Sequence, residues 1–183
     1  CVKAVIFDMD GTLLNTLEDI RNAVNRVLSS RGYPTHPVDR YRSFVGDGWE
    51  MLVRRALPES AITRDRLKAC VEESMLAYAK TWDATTTPYA GIPELLTSLT
   101  REGVRLAVLS NKPDLFTRRC VAEYFPKDAF QVVLGQREGV PQKPDPVGAS
   151  EIADRLSIPA DRFLFLGDTA VDMQTARAAG MYP

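Results

Sequence analysis

Short apolar runs and amphipathic segments alternate along most of the chain. Four runs have the length and composition of buried strands: Ala4–Phe7, Val104–Leu109, Phe130–Leu134 and Phe163–Leu166. Helical patterns with stop signals lie between the later runs, over Pro93–Glu102 and Pro113–Tyr124. Alternating strands and helices form a parallel sheet with helices on both faces. The pattern therefore predicts an α/β fold with a Rossmann-like parallel sheet.

The long interval between the first two apolar runs has a different periodicity. Apolar residues recur there at helical spacing, from Ile20 to Leu28 and again from Leu67 to Tyr78. We therefore predict that residues 15–85 form an inserted all-helical domain. Residues 1–14 and 86–183 are expected to form the α/β core around it.

Both ends of the chain are expected to be cut. Cys1 stands where an initiator methionine is expected, and Gly180 has the place of a helix C-cap. An α/β unit would begin another strand after that helix, so we expect a final strand to be missing from this sequence.

The composition narrows the classes of partner. The chain has 183 residues, 45% of them hydrophobic, and a formal net charge of -1. Basic residues are scattered among acidic ones, so the sequence offers no basic stripe for nucleic acid and no polybasic face for a membrane. No apolar run is long enough to span a bilayer, and no signal-peptide pattern opens the chain. We therefore expect a cytoplasmic protein.

Cysteine and histidine are scarce, which limits the chemistry. Cys1, Cys70 and Cys120 are far apart and form no CxxC pair, so free thiols in a reducing compartment are expected. His36 is the only histidine, and its neighbouring prolines indicate a loop. A histidine-rich metal site is therefore excluded, and a nucleophile activated by histidine is disfavoured.

Polar residues follow the predicted strands at the edge where parallel sheets bind ligands. The residues behind the apolar runs, with one lysine from the loop after the third run, are Asp8, Asp10, Ser110, Asn111, Lys143, Asp168 and Asp172. Carboxylates crowded in a crevice repel each other, so this set requires a cation. Oxygen ligands without histidine or cysteine favour Mg²⁺ over zinc.

A magnesium site of this kind usually shares its coordination with a phosphate. Lys143 and Ser110 are then donors to the remaining phosphoryl oxygens, and the backbone N–H groups around Gly11 and Thr12 add further donors. Asp8 and Asp10 stand two residues apart, which in an extended segment points both carboxylates to the same side. The expected partner is a small phosphorylated metabolite.

Four ordered segments, DMDGT, SNKP, KPDP and GDTAVDMQTARAAG, resemble the motifs of the haloacid dehalogenase superfamily. The resemblance implies that Asp8 is the nucleophile and forms an aspartyl-phosphate. It implies that Asp10 protonates the leaving group and later activates water. It also implies that Asp168 completes the Mg²⁺ shell with the Asp8 carboxylate and the Asp10 backbone carbonyl, and that Asp172 supports this shell.

The same resemblance assigns the phosphoryl group its donors. Thr12, Ser110 and Asn111 would hold it, and Lys143 would neutralise charge on it and on Asp8. Dehalogenases of the superfamily lack an acid at the place of Asp10, because a halide leaves without a proton. Asp10 therefore favours phosphoryl transfer.

The predicted helical insertion resembles the mobile cap of one branch of the superfamily, which closes over the site and excludes water. The stretch from Phe44 to Leu57 has a glycine-flanked loop leading into a helix, and it resembles phosphoglycolate phosphatases. The candidate specificity residues are Gly46, Asp47, Gly48 and Lys112. Asn15 departs from the aspartate of many members, which concerns the subgroup more than the activity.

Several alternatives stay open at the level of sequence. Asp8 and Asp10 also suit a simple turn, and Lys143 also suits a solvated loop. Related functions are a phosphosugar mutase of the β-phosphoglucomutase kind and a pyrophosphatase or nucleotidase of the same superfamily. A cap histidine near the hinge would favour the mutase, and none lies between Thr16 and Gly32. A non-catalytic binding protein would be expected to lose a catalytic carboxylate, and this chain keeps all of them.

Overall fold

A computed structural model describes all residues, 1–183, and the chain divides into two compact units. Residues 1–14 and 88–183 form one, called the core unit, and residues 15–87 form the other, called the helical unit. In chain order the strands are β1 (Ala4–Phe7), β2 (Leu14–Asn15), β3 (Thr87–Pro88), β4 (Arg105–Pro113), β5 (Val132–Gln136) and β6 (Phe163–Leu166). The helices are α1 (Leu17–Ser30), α2 (Val38–Tyr41), α3 (Trp49–Ala56), α4 (Arg64–Tyr78), α5 (Ile92–Arg101), α6 (Asp114–Tyr124), α7 (Val147–Leu156) and α8 (Ala170–Ala178).

The core unit is built on a parallel sheet with the strand order β5-β4-β1-β6. Ala4 of β1 lies opposite Arg105 of β4 and Phe163 of β6, so the three strands run in step. All four residues of β1 are buried. A continuous apolar run suits this position because helices cover both faces of such a sheet. The predicted α/β fold is confirmed.

Strand β4 differs most from its predicted bounds. The apolar pattern ends at Leu109, but the strand continues to Pro113, with a register shift against β5 between these two residues. Ser110, Asn111 and Lys112 are polar, yet all three are buried. Buried polar groups of this kind need partners within the protein. Hydropathy alone cannot show such partners, which is why the strand appeared shorter.

The helical unit is organised around the packing of α1 on α4. The apolar face of α1, from Ile20 to Leu28, is buried. Asp19 on the same helix is also fully buried, and its carboxylate accepts hydrogen bonds from the backbone N–H and hydroxyl groups of Thr85 and Thr86, at 2.8–3.1 Å. These bonds tie the beginning of the unit to its end. β2 and β3 form a separate two-stranded sheet.

A second polar contact of the helical unit holds a loop by its backbone. The carboxamide of Asn25 on α1 accepts a hydrogen bond from the His36 N–H at 3.0 Å and donates one to the His36 carbonyl at 2.7 Å. The His36 ring in turn contacts the carbonyl of Ala56 at 2.8 Å. His36, the only histidine of the chain, therefore forms structural contacts within the helical unit. None of the helices combines the length and apolar character needed to cross a bilayer.

Candidate active site

Three neighbouring strands bring the predicted site residues to one edge of the core sheet. Asp8 follows β1, Asp168 follows β6 after a single glycine, and Ser110 lies within β4, two residues past Val108, which is opposite Phe7. Because β4, β1 and β6 are adjacent and parallel, their carboxyl ends lie side by side. The strand order therefore brings these residues to the same edge of the sheet, as predicted.

At this edge of the sheet, Lys143 forms ion pairs with the carboxylates of Asp8 and Asp172. Its ammonium nitrogen lies 2.9 Å from Asp8 Oδ1 and 2.6 Å from Asp172 Oδ1, and all three residues are buried. The other oxygen of Asp172 accepts hydrogen bonds from the N–H and the hydroxyl of Thr169, at 3.0 and 2.7 Å, in a capping box that begins α8. Both oxygens of Asp172 thus have partners within the protein, which suits a supporting role.

A third carboxylate makes this site strongly acidic. Asp168 is exposed, and one of its oxygens accepts a hydrogen bond from the Thr12 hydroxyl at 3.1 Å. One carboxylate oxygen each from Asp8, Asp168 and Asp172 lie within 4.8 Å of one another. A single ammonium does not neutralise three carboxylates, so the donor set retains an excess of negative charge. Such an all-oxygen set fits a hard divalent cation.

Burial and charge shift the pKa values of these groups. Burial raises the pKa of Asp8 to about 6; the ammonium of Lys143 opposes this shift and the negative charge of Asp172 adds to it. Desolvation also raises the pKa of Asp168, against the hydrogen bond from Thr12. Burial alone would lower the pKa of Lys143, but Asp8 and Asp172 outweigh it and raise that pKa. Desolvation therefore dominates the shifts of the two carboxyl groups, whereas the neighbouring carboxylates decide the direction of the Lys143 shift.

Two glycines leave room for the carboxylates. A Cβ atom at Gly11 would lie 2.4 Å from Asp168 Oδ2, and Gly11 has a φ of +89°. A Cβ atom at Gly167 would lie 2.3 Å from Asp172 Cγ. Contacts this short do not occur between real side chains, so any other residue here would displace a carboxylate.

A buried lysine, Lys112, binds the carboxylate of Asp10. Lys112 Nζ lies 3.0 and 3.3 Å from the two oxygens of Asp10, and the lysine side chain is 1% exposed. Lys112 was a candidate for substrate specificity, whereas its ammonium contacts the predicted acid. Lys112 stands two residues after Ser110, which indicates a place near the site, but its contact with Asp10 depends on the pairing of β4 with β1.

Two of the predicted phosphoryl donors, the backbone N–H groups of Gly11 and Thr12, have acceptors within the chain. The N–H of Gly11 donates to the Leu14 carbonyl at 3.0 Å, and the N–H of Thr12 donates to the Met9 carbonyl at 3.3 Å. The hydroxyl oxygen of Ser110 accepts a hydrogen bond from the Lys112 N–H at 3.3 Å. A tight turn uses the first two N–H groups in this structure, and the expectation that they serve a phosphoryl group stays a prediction.

Ser110, Asn111 and Lys143 line one small cavity of the core unit. The carboxamide of Asn111 contacts the backbone of Lys143 twice, at 2.8 and 2.9 Å. Sequence reasoning found all three residues, but it gave no indication of this contact, because the two residues are far apart in the chain.

The remaining predicted residues lie in the helical unit. Gly46, Asp47 and Gly48 form the loop before α3, and both glycines have positive φ. The carboxylate of Asp47 forms an ion pair with Arg55 on that helix. Their role in substrate recognition stays a prediction.

Comparison with known proteins identifies the family. Residues 5–182 match the family of haloacid dehalogenase-like hydrolases. The chain is 34% identical over 183 residues to the phosphoglycolate phosphatase of Pseudomonas savastanoi pv. phaseolicola, with 98% of this chain and 67% of the relative covered. It is 35% identical over 188 residues to that of Nitrosospira multiformis, with 99% and 81% covered. The crystal structure of a predicted phosphoglycolate phosphatase from Haemophilus somnus 129PT matches with a TM-score of 0.91 and 26% identity, covering 98% of this chain and 83% of that one.

The chain therefore belongs to the haloacid dehalogenase-like hydrolases. Within that family it is similar over nearly its whole length to enzymes named phosphoglycolate phosphatase, and by class it is a phosphoric monoester hydrolase. The family resemblance drawn from the four sequence motifs is confirmed.

Proposed function

We propose that this protein is a Mg²⁺-dependent phosphatase that hydrolyses a small organic phosphate monoester, with phosphoglycolate as the preferred substrate. The observation that carries the proposal is the buried contact of Lys143 with Asp8 and Asp172 beside the exposed carboxylate of Asp168. The names of the relatives supply the substrate. The mechanism follows the roles that the sequence motifs imply.

Asp8 is the nucleophile of this proposal. One of its carboxylate oxygens attacks phosphorus, the new oxygen–phosphorus bond forms an aspartyl-phosphate, and the bond from phosphorus to the leaving oxygen breaks. Lys143 stabilises the negative charge that spreads over the transferring oxygens. Its ammonium also favours the ionised form of Asp8, since it opposes part of the effect of burial on the pKa of that carboxyl.

Asp10 handles the proton. It gives a proton to the leaving oxygen in the first step and takes one from the attacking water in the second, which releases phosphate and restores Asp8. Lys112 holds both oxygens of the Asp10 carboxylate, so the acid has a fixed direction before substrate binds. The one histidine of the helical unit already contacts the Ala56 carbonyl, which favours the phosphatase over a mutase with a cap histidine.

The carboxylates of Asp8 and Asp168 and the backbone carbonyl of Asp10 are the proposed Mg²⁺ ligands. The bound ion would supply positive charge to the phosphoryl oxygens. The excess of carboxylates over ammonium groups at this edge supports that assignment. The role of the helical unit as a mobile cap stays a prediction.

A panel of substrates with Mg²⁺ tests the proposed function: phosphoglycolate, pyrophosphate, a nucleoside monophosphate and a sugar phosphate. We expect kcat/KM for phosphoglycolate to exceed that for each of the others by at least about tenfold, because a second anionic group needs matching donors. Comparable values for all four would remove the substrate assignment. No hydrolysis of any of them would remove the phosphatase proposal. An Asp8→Asn preparation measures contaminating activity.

A further inference from the structure

The carboxamide of Asn111 forms a two-point contact with the backbone of Lys143. Its Oδ1 accepts a hydrogen bond from the Lys143 N–H at 2.8 Å, and its Nδ2 donates one to the Lys143 carbonyl at 2.9 Å. Both residues are buried, at 5% and 4% exposure. An amide that bonds both the donor and the acceptor of one residue fixes the position and the orientation of that peptide segment.

Lys143 needs such an anchor because of its place in the chain. It stands between β5, which ends at Gln136, and α7, which begins at Val147, so no regular structure holds its backbone. A lysine side chain has four rotatable carbons and keeps its ammonium in one place only when its backbone is fixed. Asn111 belongs to β4, a strand of the core sheet. Its two hydrogen bonds therefore fix the loop residue Lys143 relative to the sheet.

We propose that Asn111 is a positioning residue, which fixes the backbone of Lys143 so that the ammonium lies between Asp8 and Asp172. This proposal rests on the proposed function for its kinetic part. It replaces the role that the motif alone implies for Asn111, that of a direct ligand of the phosphoryl group. Asn111 acts through Lys143, and its effect on catalysis disappears when the ammonium is removed.

A double-mutant cycle with Asn111→Ala and Lys143→Met separates the two roles. In the wild-type background we expect Asn111→Ala to lower kcat about 10–100-fold, since a misplacement of about 1 Å near the reacting groups has effects of this size. In the Lys143→Met background the same substitution should lower kcat less than about twofold. An equal loss in both backgrounds would overturn the proposal, because Asn111 would then act on the substrate itself. A loss below about threefold in the wild-type background would also overturn it.

The chain contains a matched control for the lost hydrogen bonds. Asn25 holds the backbone of His36 through the same pair of contacts, at 3.0 and 2.7 Å, but in the helical unit. Asn25→Ala should lower Tm at least as much as Asn111→Ala, since it leaves the N–H and the carbonyl of His36 without their partner and also removes the acceptor of the Tyr41 hydroxyl, at 2.8 Å. Its kcat below the melting transition should stay within about twofold of wild type. If Asn111→Ala does not fold, Asn111→Ser goes through the same cycle.

Crystal structures of wild type and Asn111→Ala test the positioning without any assay. The expected result is that Lys143 Nζ moves out of hydrogen-bond distance of Asp8 Oδ1 in the variant. An unmoved ammonium overturns the proposal whatever the activity is. Absence of wild-type activity on every phosphate in the panel, together with a displaced ammonium, would instead overturn the proposed function and leave the positioning role standing.

Discussion

The two units of this protein differ in the partners that their buried charged groups have. In the helical unit, the buried carboxylate of Asp19 accepts hydrogen bonds only from uncharged groups of Thr85 and Thr86. The ion pair of Arg31 and Glu73 in that unit is partly exposed, at 30% and 45%. In the core unit, carboxylates and ammonium groups meet in the interior instead.

We interpret the buried charge of the helical unit as structural and the buried charges of the core unit as serving the proposed reaction. Burying a charge costs free energy unless hydrogen bonds or partners compensate it, and Asp19 is compensated within its own unit. In the core unit, desolvation raises the pKa of Asp8 and of Asp168, and the negative charge of Asp172 adds to both shifts. Stability alone does not favour such an arrangement, and we propose that the protein performs its chemistry there.

The largest expected effect comes from removing the central ammonium. Lys143→Met leaves Asp8 and Asp172 buried without their cation, and it removes the charge that we propose stabilises the transferring phosphoryl group. We expect kcat to fall about a thousandfold, the size seen when a preorganised donor is lost. Steady-state kinetics with Mg²⁺ measure this, and Lys127→Met, an exposed lysine of the same unit, is the control. Equal kcat values for the two variants would contradict the role of Lys143.

Breaking the structural counterpart in the helical unit should affect stability rather than chemistry. Asp19→Ala leaves the N–H groups of Thr85 and Thr86 without their acceptor, and we expect the free energy of unfolding to fall by about 2–4 kcal/mol. Urea denaturation measures it. The control is Asp39→Ala, because the Asp39–Arg42 pair is 84% and 72% exposed. That variant should lose less than about 0.5 kcal/mol, and similar losses in both variants would contradict the comparison.

The raised pKa of Asp8 makes the stability of the metal-free protein depend on pH. A carboxyl with a pKa of about 6 in the folded state, against 3.8 as the usual value, binds more protons folded than unfolded between these values. Its contribution is therefore present below about pH 4 and is lost as the pH rises through about 6.

Asp8→Asn removes this titration, so the difference between wild type and variant isolates it. In EDTA, the free energy of unfolding of wild type should fall relative to Asp8→Asn by about 1–3 kcal/mol between pH 4 and pH 7. Chemical denaturation at several pH values measures the difference. A difference that is constant across this range would show that burial does not shift the Asp8 carboxyl.

The smallest expected effect concerns the room that Gly11 leaves for Asp168. Gly11→Ala places a methyl group against that carboxylate, so we expect the affinity for Mg²⁺ to fall about tenfold, measured by calorimetry. Gly103→Ala is the control because Gly103 has a φ of +73° with no atom within 4 Å of a Cβ. Both variants carry the strain of positive φ, and only Gly11→Ala should lose affinity. Equal affinities would contradict the account of the cation site.

The sequence allowed the positions of the site residues to be predicted, but not most of the contacts that they form. Apolar runs show where buried strands end, and adjacent parallel strands end at one edge, so the convergence of Asp8, Ser110 and Asp168 followed from the sequence. The partners of Asn111 and Lys112 did not. They depend on how far β4 continues past its apolar part and on which strand lies beside it, and a linear pattern carries neither. The sequence also does not show whether a given lysine is buried or exposed to solvent.

The central claim is that Asp8 is a nucleophile, and the turnover of Asp8→Asn tests it most directly. Wild type and variant are compared with Mg²⁺ on the best substrate of the panel, and thermal denaturation of both shows that the variant is folded. The account predicts a folded variant with a normal Lys143–Asp172 pair and no hydrolysis above background. A folded variant that hydrolyses the substrate as fast as wild type would contradict the account.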